Sequence, residues 1–344
     1  MKKVLVTGIL GQDGANMCEF LLKDPDNRVF GMIRRVSNPN YVNCQSFLDN
    51  PNFQIVYGDL GDEFSIGKLV HEIQPDFFIN LAANSFVACS WDMPQQVMDT
   101  NAIGVLRCLE AIKSYQPNCR FYSAGSSEEF GNIDYAPQDM KHPMKPRSPY
   151  GVSKCAAHHL VKVYRESYDM YAVHGVLFNH EGTKRGEEFV TRKITKGVAR
   201  IHDKIKSVDS WRGRHGDAAR FDPIELGNLD SKRDWSDSED FVEGIWLMLN
   251  QDNPKDYLLA SGEAHSIREG VDEKYLDSGG PHKYLFVKVN PDFYRPAEVE
   301  LLLGDPKEAI EELGWKPKNS FDSLVTKMVQ WDIEIEHNKH RAER

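Results

Sequence analysis

A doubly wound parallel α/β sheet with a smaller, mixed α/β C-terminal lobe is the fold class that this sequence of 344 residues predicts. Six short apolar runs in the first half have the length and composition of buried strands. The intervals between them are long enough to carry the crossover helices that parallel strands require. After about residue 180 the apolar runs become shorter, because Gly, Pro and charged residues interrupt them.

The predicted strands follow one another through the first 180 residues. In chain order they are Val4–Val6, Val29–Ile33, Phe53–Tyr57, Phe77–Leu81, Phe121–Ala124 and Val173–Phe178. Two of the intervals, Asn16–Lys23 and Asn101–Lys113, carry apolar residues at helical spacing. We therefore expect a Rossmann domain over residues 1–180, with segments near 226–262 returning to its sheet. The smaller lobe is expected mainly over residues 181–344.

Composition and charge exclude several classes of function. A formal net charge of -10 argues against a general nucleic-acid or anionic-membrane binder. The first apolar run is too short for a signal peptide, and no run is long enough to cross a bilayer. The six cysteines lack the spacing of metal ligands, so we expect reduced thiols in a cytoplasmic protein and no metal site.

A glycine-rich turn follows the first predicted strand and precedes the first predicted helix. Its glycines are Gly8, Gly11 and Gly14. Glycine allows the backbone to approach a diphosphate closely, and a helix N-terminus presents N–H groups and partial positive charge to it. In this context the turn predicts a dinucleotide site, although a glycine triplet alone is a weak signal.

The residues after the second and third strands bear on the choice of dinucleotide. The second strand is followed by Arg34 and Arg35 instead of an acidic residue that would bind a ribose 2′-hydroxyl. Two guanidinium groups suit a 2′-phosphate, so we expect NADP in preference to NAD, the alternative being a solvated basic loop. Asp59 follows the third strand, where it would bind the adenine amino group or serve as a turn residue.

Four polar residues predict proton-transfer chemistry. Tyr150 and Lys154 are four apart, so on a helix they share a face, and the ammonium would lower the pKa of the phenol. Such a tyrosine can act as a base near neutral pH. Ser126 and Glu128 are two apart, which in an extended segment puts both side chains on one side. A solvated Tyr/Lys surface pair is the alternative, but the order of all these motifs favours an active site.

Several longer motifs make the chain similar to a known family. It resembles the extended short-chain dehydrogenases/reductases, and among them most closely the GDP-mannose 4,6-dehydratases. Besides the residues above, the resemblance rests on motifs distributed over nearly the whole chain: Leu81–Ser85, Pro146–Tyr150, Leu177–Glu181, Arg185-Gly186, Phe189–Ile194, Leu226–Asp230, Lys232–Trp235 and Tyr294–Pro296. The Asn-His-Glu sequence at residues 179–181, together with Phe-Val-Thr-Arg-Lys from residue 189, is far more selective than any glycine pattern.

The resemblance implies further binding residues. In addition to the residues of the glycine turn, Arg34, Arg35, Asp59, Tyr150 and Lys154, those implied at the NADP site are Leu10, Gln12, Asp13, Leu60, Leu81, Ala82, Ala83, Asn179, His180 and Arg185. Those implied around a GDP-sugar are Ser85, Ser126, Glu128, Asn179, Glu188, Val190, Lys193, Arg233, Arg295 and Glu298. The family also implies a homodimer or homotetramer.

The reaction that the resemblance implies is an NADP-dependent loss of water from GDP-mannose, giving GDP-4-keto-6-deoxymannose. Tyr150 would take the C4 hydroxyl proton, and Ser126 would hydrogen-bond the C4 oxygen. Glu128 would remove the C5 proton, with Glu128 or Ser126 assisting loss of the C6 hydroxyl. Lys154 would hold the nicotinamide ribose, and the cofactor would store the hydride between C4 and C6.

Departures from the family pattern leave the substrate and the activity open. Asn84, Phe86 and Glu188 replace the usual residues near the expected sugar site. Residues 203–222 form a charged insertion that would serve as a lid, a subunit contact or a disordered loop. Another GDP-hexose or a GDP-heptose is therefore an alternative substrate. A nucleotide-sugar epimerase and a catalytically silent NADP-sensing or scaffold protein are also compatible with these residues.

Overall fold

The computed structural model describes residues 1–209, 222–272, 286–294 and 299–342. Its main sheet consists of seven parallel strands: β1 (Lys2–Thr7), β2 (Asn27–Ile33), β3 (Phe53–Tyr57), β4 (Phe77–Asn80), β5 (Arg120–Ala124), β6 (Ala172–Leu177) and β10 (Tyr257–Leu259). In space they follow the order β3-β2-β1-β4-β5-β6-β10. The predicted fold class is confirmed, and each of the six predicted strands is present.

Helices cover both faces of this sheet because its strands are apolar on both sides. In β1, Val4 and Val6 face one apolar cluster while Leu5 faces the other. The first cluster includes residues of α1 (Gln12–Leu21), α8 (Ser238–Leu249) and α10 (Lys307–Leu313). The second includes residues of α2 (Glu63–Ile73), α5 (Gly104–Tyr115) and α6 (Pro149–Tyr168).

Helices α1 and α5 correspond to the two predicted helical segments, but they begin and end at different residues. The segment predicted to begin at Asn101 starts instead within a π turn over Asp99–Ile103, which joins α4 (Pro94–Met98) to α5. A further short helix, α3 (Cys89–Asp92), precedes α4. The apolar pattern predicted a helix here correctly, but it cannot distinguish a π turn from an α-helix.

The second part of the chain builds a smaller lobe beside the sheet. Its strands are β7 (Asn179–Glu181), β8 (Ile224–Leu226), β9 (Lys232–Asp237), β11 (Ala264–Ser266), β12 (Val287–Val289) and β13 (Leu301–Leu302). Strand β9 pairs with β7, β11 and β13, and β12 pairs with β8. The lobe's helices are α7 (Val190–Asp209), α9 (Ile267–Asp272) and α11 (Phe321–Ala342). Of the charged insertion, residues 210–221 lie outside the described residues.

Strand β7 begins two residues after β6 ends, so the lobe grows directly from the main sheet. Helices α7 and α11 pack together, and the buried Arg192 of α7 pairs with the buried Asp332 of α11 at 2.9 Å. Within the described residues, no helix combines the length and the apolar character needed to cross a membrane.

Candidate active site

A large cleft opens at the carboxyl ends of the parallel strands, between the main sheet and the smaller lobe. Its volume is about 1880 Å³. Ligands of open α/β sheets bind at this edge, where the strands end and the connecting loops diverge. The glycine turn, the turn after β5, the start of α6 and the segment from Asn179 to Lys193 all contribute to its wall.

The glycine turn is shaped by close backbone contacts. Gly8 has φ +72°, and a Cβ there would lie 2.8 Å from the backbone nitrogen of Ala82. A Cβ on Gly14 would lie 2.3 Å from the carbonyl oxygen of Gly8. Gly11 precedes α1 as its N-cap, and no side chain caps the helix there. The free N-terminus of α1 therefore faces the cleft, which fits the diphosphate of a dinucleotide.

An ion pair anchors this turn to β7. Asp13 Oδ2 lies 3.0 Å from His180 Nε2, and His180 Nδ1 lies 2.7 Å from the carbonyl oxygen of Phe178. Burial opposes ionisation of both groups, but His180 lowers the pKa of Asp13 to about 2, and Asp13 raises the pKa of His180. Both ring nitrogens of His180 face acceptors, an arrangement that favours the doubly protonated, positively charged ring at the cleft.

The basic residues after β2 differ in position. Arg34 is exposed and lines the cleft, as predicted for a residue near a 2′-phosphate. Arg35 does not line it, because its side chain turns back and donates to the carbonyl oxygen of Val36. Of the two guanidinium groups predicted at the cofactor, that of Arg34 lines the cleft and that of Arg35 does not. Asp59 lines the cleft and also accepts a hydrogen bond of 2.9 Å from the N–H of Gly61, which is the turn role.

Ser126 and Glu128 lie together on the cleft, but not for the reason that the sequence suggested. Ser126 has extended φ and ψ and caps a 3₁₀ turn over Ser127–Glu129, so the segment is not a strand. Its Oγ accepts a hydrogen bond of 3.2 Å from the N–H of Glu128. The cap, and not strand alternation, therefore sets the relative position of the two side chains.

Helix α6 brings Tyr150 and Lys154 to the same cleft. Ser148 caps the helix by accepting a 3.0 Å hydrogen bond from the N–H of Gly151, and Pro149 occupies the first turn. A Cβ on Gly151 would lie 2.7 Å from the carbonyl oxygen of Glu128. The first turn of α6 therefore packs directly on the 3₁₀ turn that Ser126 caps.

The pKa of Tyr150 is shifted in the direction opposite to the predicted one. Burial raises it most, Ser126 and Arg185 lower it, and Glu128 and Glu129 raise it further. Lys154 Nζ donates a 2.7 Å hydrogen bond to the carbonyl oxygen of Ala124 and lies 5.8 Å from the centre of the Tyr150 ring. Burial lowers the pKa of Lys154 to about 8. The sequence spacing carries no information about this desolvation, which is why the expectation failed.

Most of the remaining predicted residues also line the cleft: Leu10, Gln12, Leu60, Leu81, Ala82, Ala83, Ser85, Asn179, Arg185, Glu188, Val190, Lys193 and Arg233. Two cations among them lie over aromatic rings. The Arg185 guanidinium is 3.5 Å from the centre of the Phe189 ring, and Lys193 Nζ is 3.8 Å from that of Phe293. Arg295 and Glu298 lie outside the described residues.

Several residues that support the site from behind were not predicted from the sequence. Asn101 Oδ1 accepts from the N–H of Asn84 at 2.8 Å, and its Nδ2 lies 3.1 Å from Ser153 Oγ on α6. Glu129, His158 and His174 form a buried cluster whose potential ligand atoms all lie within 4.8 Å of one another, within the described part of the chain. In the sequence, the one indication of this cluster was that Glu129 directly follows the predicted catalytic residue Glu128.

Comparisons with known proteins identify what the chain is similar to. A family model described as GDP-mannose 4,6 dehydratase matches residues 5–328. A GDP-mannose 4,6 dehydratase of Drosophila melanogaster is 41% identical, with 97% of this chain and 87% of the relative covered. GDP-mannose 4,6 dehydratase 1 of Arabidopsis thaliana is 42% identical, with 97% and 90% covered.

Solved structures share the fold at lower identity. A dTDP-glucose 4,6-dehydratase of Streptomyces venezuelae, determined with NAD and TYD bound, has a TM-score of 0.82 at 22% identity. The alignment covers 97% of this chain and 98% of that one.

Proposed function

The chain belongs to the GDP-mannose 4,6-dehydratase family, and from that membership we propose that it converts GDP-mannose to GDP-4-keto-6-deoxymannose with NADP. One observation carries the proposal within the structure. Ser126, Glu128 and Tyr150 line one cleft together with the glycine turn. A hydroxyl, a carboxylate and a phenol are the groups needed to move protons at C4 and C5 of one hexose.

Residues at the inner end of the cleft would hold the cofactor. The glycine turn and the N-terminus of α1 fit its diphosphate, and Arg34 is the guanidinium available for a 2′-phosphate. When bound, NADP would accept hydride from C4, return it to C6, and add a positively charged ring that favours the phenolate of Tyr150.

Tyr150 is assigned the proton of the C4 hydroxyl. Its burial raises its pKa, so positive charge nearby is needed to favour the phenolate. Arg185 acts in that direction, and Lys154, with a pKa of about 8, stays largely protonated at neutral pH. Ser126, which lines the cleft together with Tyr150, would hold the C4 oxygen in line.

Glu128 is assigned the elimination. Once C4 is a ketone, the C5 hydrogen becomes acidic, and Glu128 would remove it as a proton. The C6 hydroxyl then leaves as water with a proton from Glu128 or Ser126, which forms the C5–C6 double bond. Return of the proton held by Tyr150 to C5 and of hydride to C6 would complete the 4-keto-6-deoxy sugar, so the net change is the loss of one water.

The outer part of the cleft would bind the GDP-sugar. Lys193 and Arg233 provide cations for the diphosphate, while Ser85 and Asn179 provide polar groups for the sugar. Glu188 also lines this part of the cleft, and its carboxylate can accept hydrogen bonds from sugar hydroxyls. This residue favours a second candidate, in which the hydroxyls of another GDP-hexose or of a GDP-heptose engage the carboxylate.

A panel of GDP-, UDP- and dTDP-sugars, incubated with the purified protein and NADP and read by mass spectrometry, tests the proposal. We expect GDP-mannose to yield a product lighter by one water. A lighter product from a different GDP-sugar would support the second candidate. A product of unchanged mass but altered stereochemistry would identify an epimerase, and no change in any sugar would favour a catalytically silent protein.

We also propose a homodimer or homotetramer in the cytoplasm, with GDP-sugar as its ligand. The family resemblance supports the assembly, and light scattering of the purified protein tests it. All six cysteines are unpaired, which supports a reducing compartment. Localisation of a tagged protein in its own cells tests that compartment.

A further inference from the structure

Glu129 follows the proposed catalytic Glu128 but points away from the cleft. It ends the 3₁₀ turn over Ser127–Glu129, and its side chain is fully buried. It does not line the cleft, so the proton transfers assigned above do not use it. A buried carboxylate is costly unless partners compensate it, which directs attention to the groups around it.

The carboxylate of Glu129 joins three elements of the active site. Its Oε1 accepts hydrogen bonds from the backbone N–H of Ser126 at 2.8 Å and from His174 Nε2 on β6 at 3.0 Å. Its Oε2 lies 2.9 Å from Nδ1 of His158 on α6. His158 is one helical turn beyond Lys154. Glu129 thus connects the turn carrying Ser126 and Glu128 with the helix carrying Tyr150 and Lys154.

Gly125 leaves space for the hydrogen bond between Glu129 and His174 because it has no side chain. A Cβ on Gly125 would lie 2.3 Å from His174 Nε2 and 2.7 Å from Glu129 Oε1. Gly125 stands between the end of β5 and Ser126, so the chain passes directly over the Glu129–His174 bond. Any larger residue there would displace the cluster or the turn.

The charges of the cluster balance. His158 Nε2 lies 3.5 Å from Oδ2 of Asp256, and Arg165 binds both oxygens of Asp256 at 2.7 and 2.6 Å. Burial acts to lower the pKa of His158, but the hydrogen bonds that Asp256 and Glu129 accept from its ring raise the pKa to about 9. His174 is neutral because burial lowers its pKa. The carboxylates of Glu129 and Asp256 therefore face two cations, His158 and Arg165. The negative charge of Glu129 also acts to raise the pKa of Lys154.

We propose that Glu129, held by His158 and His174, is a positioning residue that fixes Ser126 and Glu128 relative to Tyr150 for the chemical step. The rate of a step that depends on alignment falls steeply when the reacting groups are displaced. This role rests on the proposed dehydration, but the hydrogen bonds that link Glu129 to Ser126, His158 and His174 exist without substrate. The cluster works through hydrogen bonds between its members.

Glu129→Gln tests the link, because it preserves shape while replacing one acceptor with an N–H₂ group and removing the charge. We expect kcat for the dehydration to fall by about 10²-fold while KM is nearly unchanged, since ground-state binding does not involve Glu129. Without any ligand, hydrogen–deuterium exchange should become faster both in the turn at residues 125–130 and in residues 148–154 of α6.

Asp240→Asn is the matched control. Asp240 is also a buried carboxylate and accepts from the backbone N–H of Lys318 at 2.8 Å and of Asn319 at 3.1 Å, but it does not line the cleft. The Asp240→Asn variant should be less stable than wild type. Its kcat and the hydrogen–deuterium exchange of residues 125–130 should nevertheless match those of wild type. Equal effects of both variants, or a Glu129→Gln enzyme with normal kcat and exchange, would overturn the proposal. Activity lost on dialysis against a chelator would also overturn it, by identifying a metal site.

A second pair of variants covers the case in which Glu129→Gln does not fold. His174→Gln retains an N–H donor near the position of Nε2, whereas His174→Leu removes it. We expect the first to keep most of kcat and the second to lose it, with the exchange of residues 125–130 following the same order. Identical behaviour of the two would contradict the proposal. If wild-type protein leaves GDP-mannose unchanged, the proposed function fails, while the exchange measurements still decide the role of Glu129.

Discussion

Glu128 and Glu129 are adjacent carboxylates with opposite orientations. Glu128 lines the cleft, while Glu129 is fully buried among histidines. A 3₁₀ turn rotates the chain by about 120° per residue, so consecutive side chains diverge. One turn therefore supplies both a carboxylate that faces the proposed sugar site and a carboxylate that holds the turn in place.

Glu128→Gln should separate the two halves of the proposed reaction. Oxidation at C4 requires Tyr150, whereas removal of the C5 proton requires the carboxylate, so reduced cofactor should accumulate without a 6-deoxy product. Absorbance of bound NADPH and mass spectrometry of the sugar measure the two outcomes. Glu72→Gln, an exposed residue of α2, is the control and should behave as wild type. Normal turnover by Glu128→Gln would remove this residue from the mechanism.

Arg34 and Arg35 should differ in their effect on cofactor choice. Arg34→Ala should weaken NADP binding by about tenfold or more and leave NAD binding little changed, because a hydrogen bond to a charged group contributes about 1.5–3 kcal/mol. Arg35→Ala should have little effect on either, since Arg35 does not line the cleft. Calorimetric titration of both dinucleotides measures this. An unchanged preference in Arg34→Ala would contradict the assignment of the 2′-phosphate site.

At the scale of elements, the connections between strand and helix create the site. β1 leads through the glycine turn into α1, and β5 leads through Gly125 and the 3₁₀ turn toward α6. Three glycines permit backbone approaches that a Cβ would block: Gly8 against Ala82, Gly14 against Gly8, and Gly151 against Glu128. Only the first of them has positive φ, so the other two are needed for space.

Gly14→Ala should therefore damage the dinucleotide site. Its Cβ would lie 2.3 Å from the Gly8 carbonyl oxygen, and overpacking of this kind costs about 1–3 kcal/mol. We expect lower stability in urea and weaker NADP binding. Gly67→Ala in α2 is the control, because its nearest neighbour is a Tyr115 ring atom at 3.3 Å. It should be neutral or stabilising by up to about 1 kcal/mol. Equal NADP affinity in both variants would contradict this account of the turn.

At the scale of the whole molecule, the seventh strand joins the two parts of the chain. β10 comes from the second half and pairs with β6. Asp256, directly before it, binds Arg165 of α6 and accepts a 2.7 Å hydrogen bond from the N–H of His174. The buried ionic cluster behind the active site therefore also attaches the later segments to the main sheet.

This cluster predicts a pH dependence of stability. The pKa of His158 is raised from 6.5 to about 9, so its contribution is complete below about pH 6.5 and is lost as the pH rises through 9. At about 1.4 kcal/mol per pKa unit, the contribution is on the order of 3 kcal/mol.

Urea unfolding of wild type and His158→Gln at pH 6 and pH 10 measures that contribution. The difference between their free energies of unfolding should shrink as the pH rises. The control is His71→Gln, which replaces an exposed histidine of α2. Its free energy of unfolding should be close to that of wild type at both pH 6 and pH 10. A gap between wild type and His158→Gln that is independent of pH would show that His158 is not charged in the folded protein.

The sequence by itself determined the sheet and the framework of the site. Buried parallel strands are apolar on both faces, so β1 to β6 are recognisable as short apolar runs without any knowledge of their neighbours. The glycine turn and the Tyr150–Lys154 pair are likewise local patterns, because one turn or one helical face contains all of their members.

Only the tertiary structure decided which side chains face the cleft and what their environment does to them. The packing of α6 on the 3₁₀ turn and the desolvation of Tyr150 depend on contacts between elements. The link from Glu129 to His158 and His174 joins residues 29 and 45 positions apart in the chain. Burial and long-range hydrogen bonds arise only when the chain folds, so no local pattern encodes them.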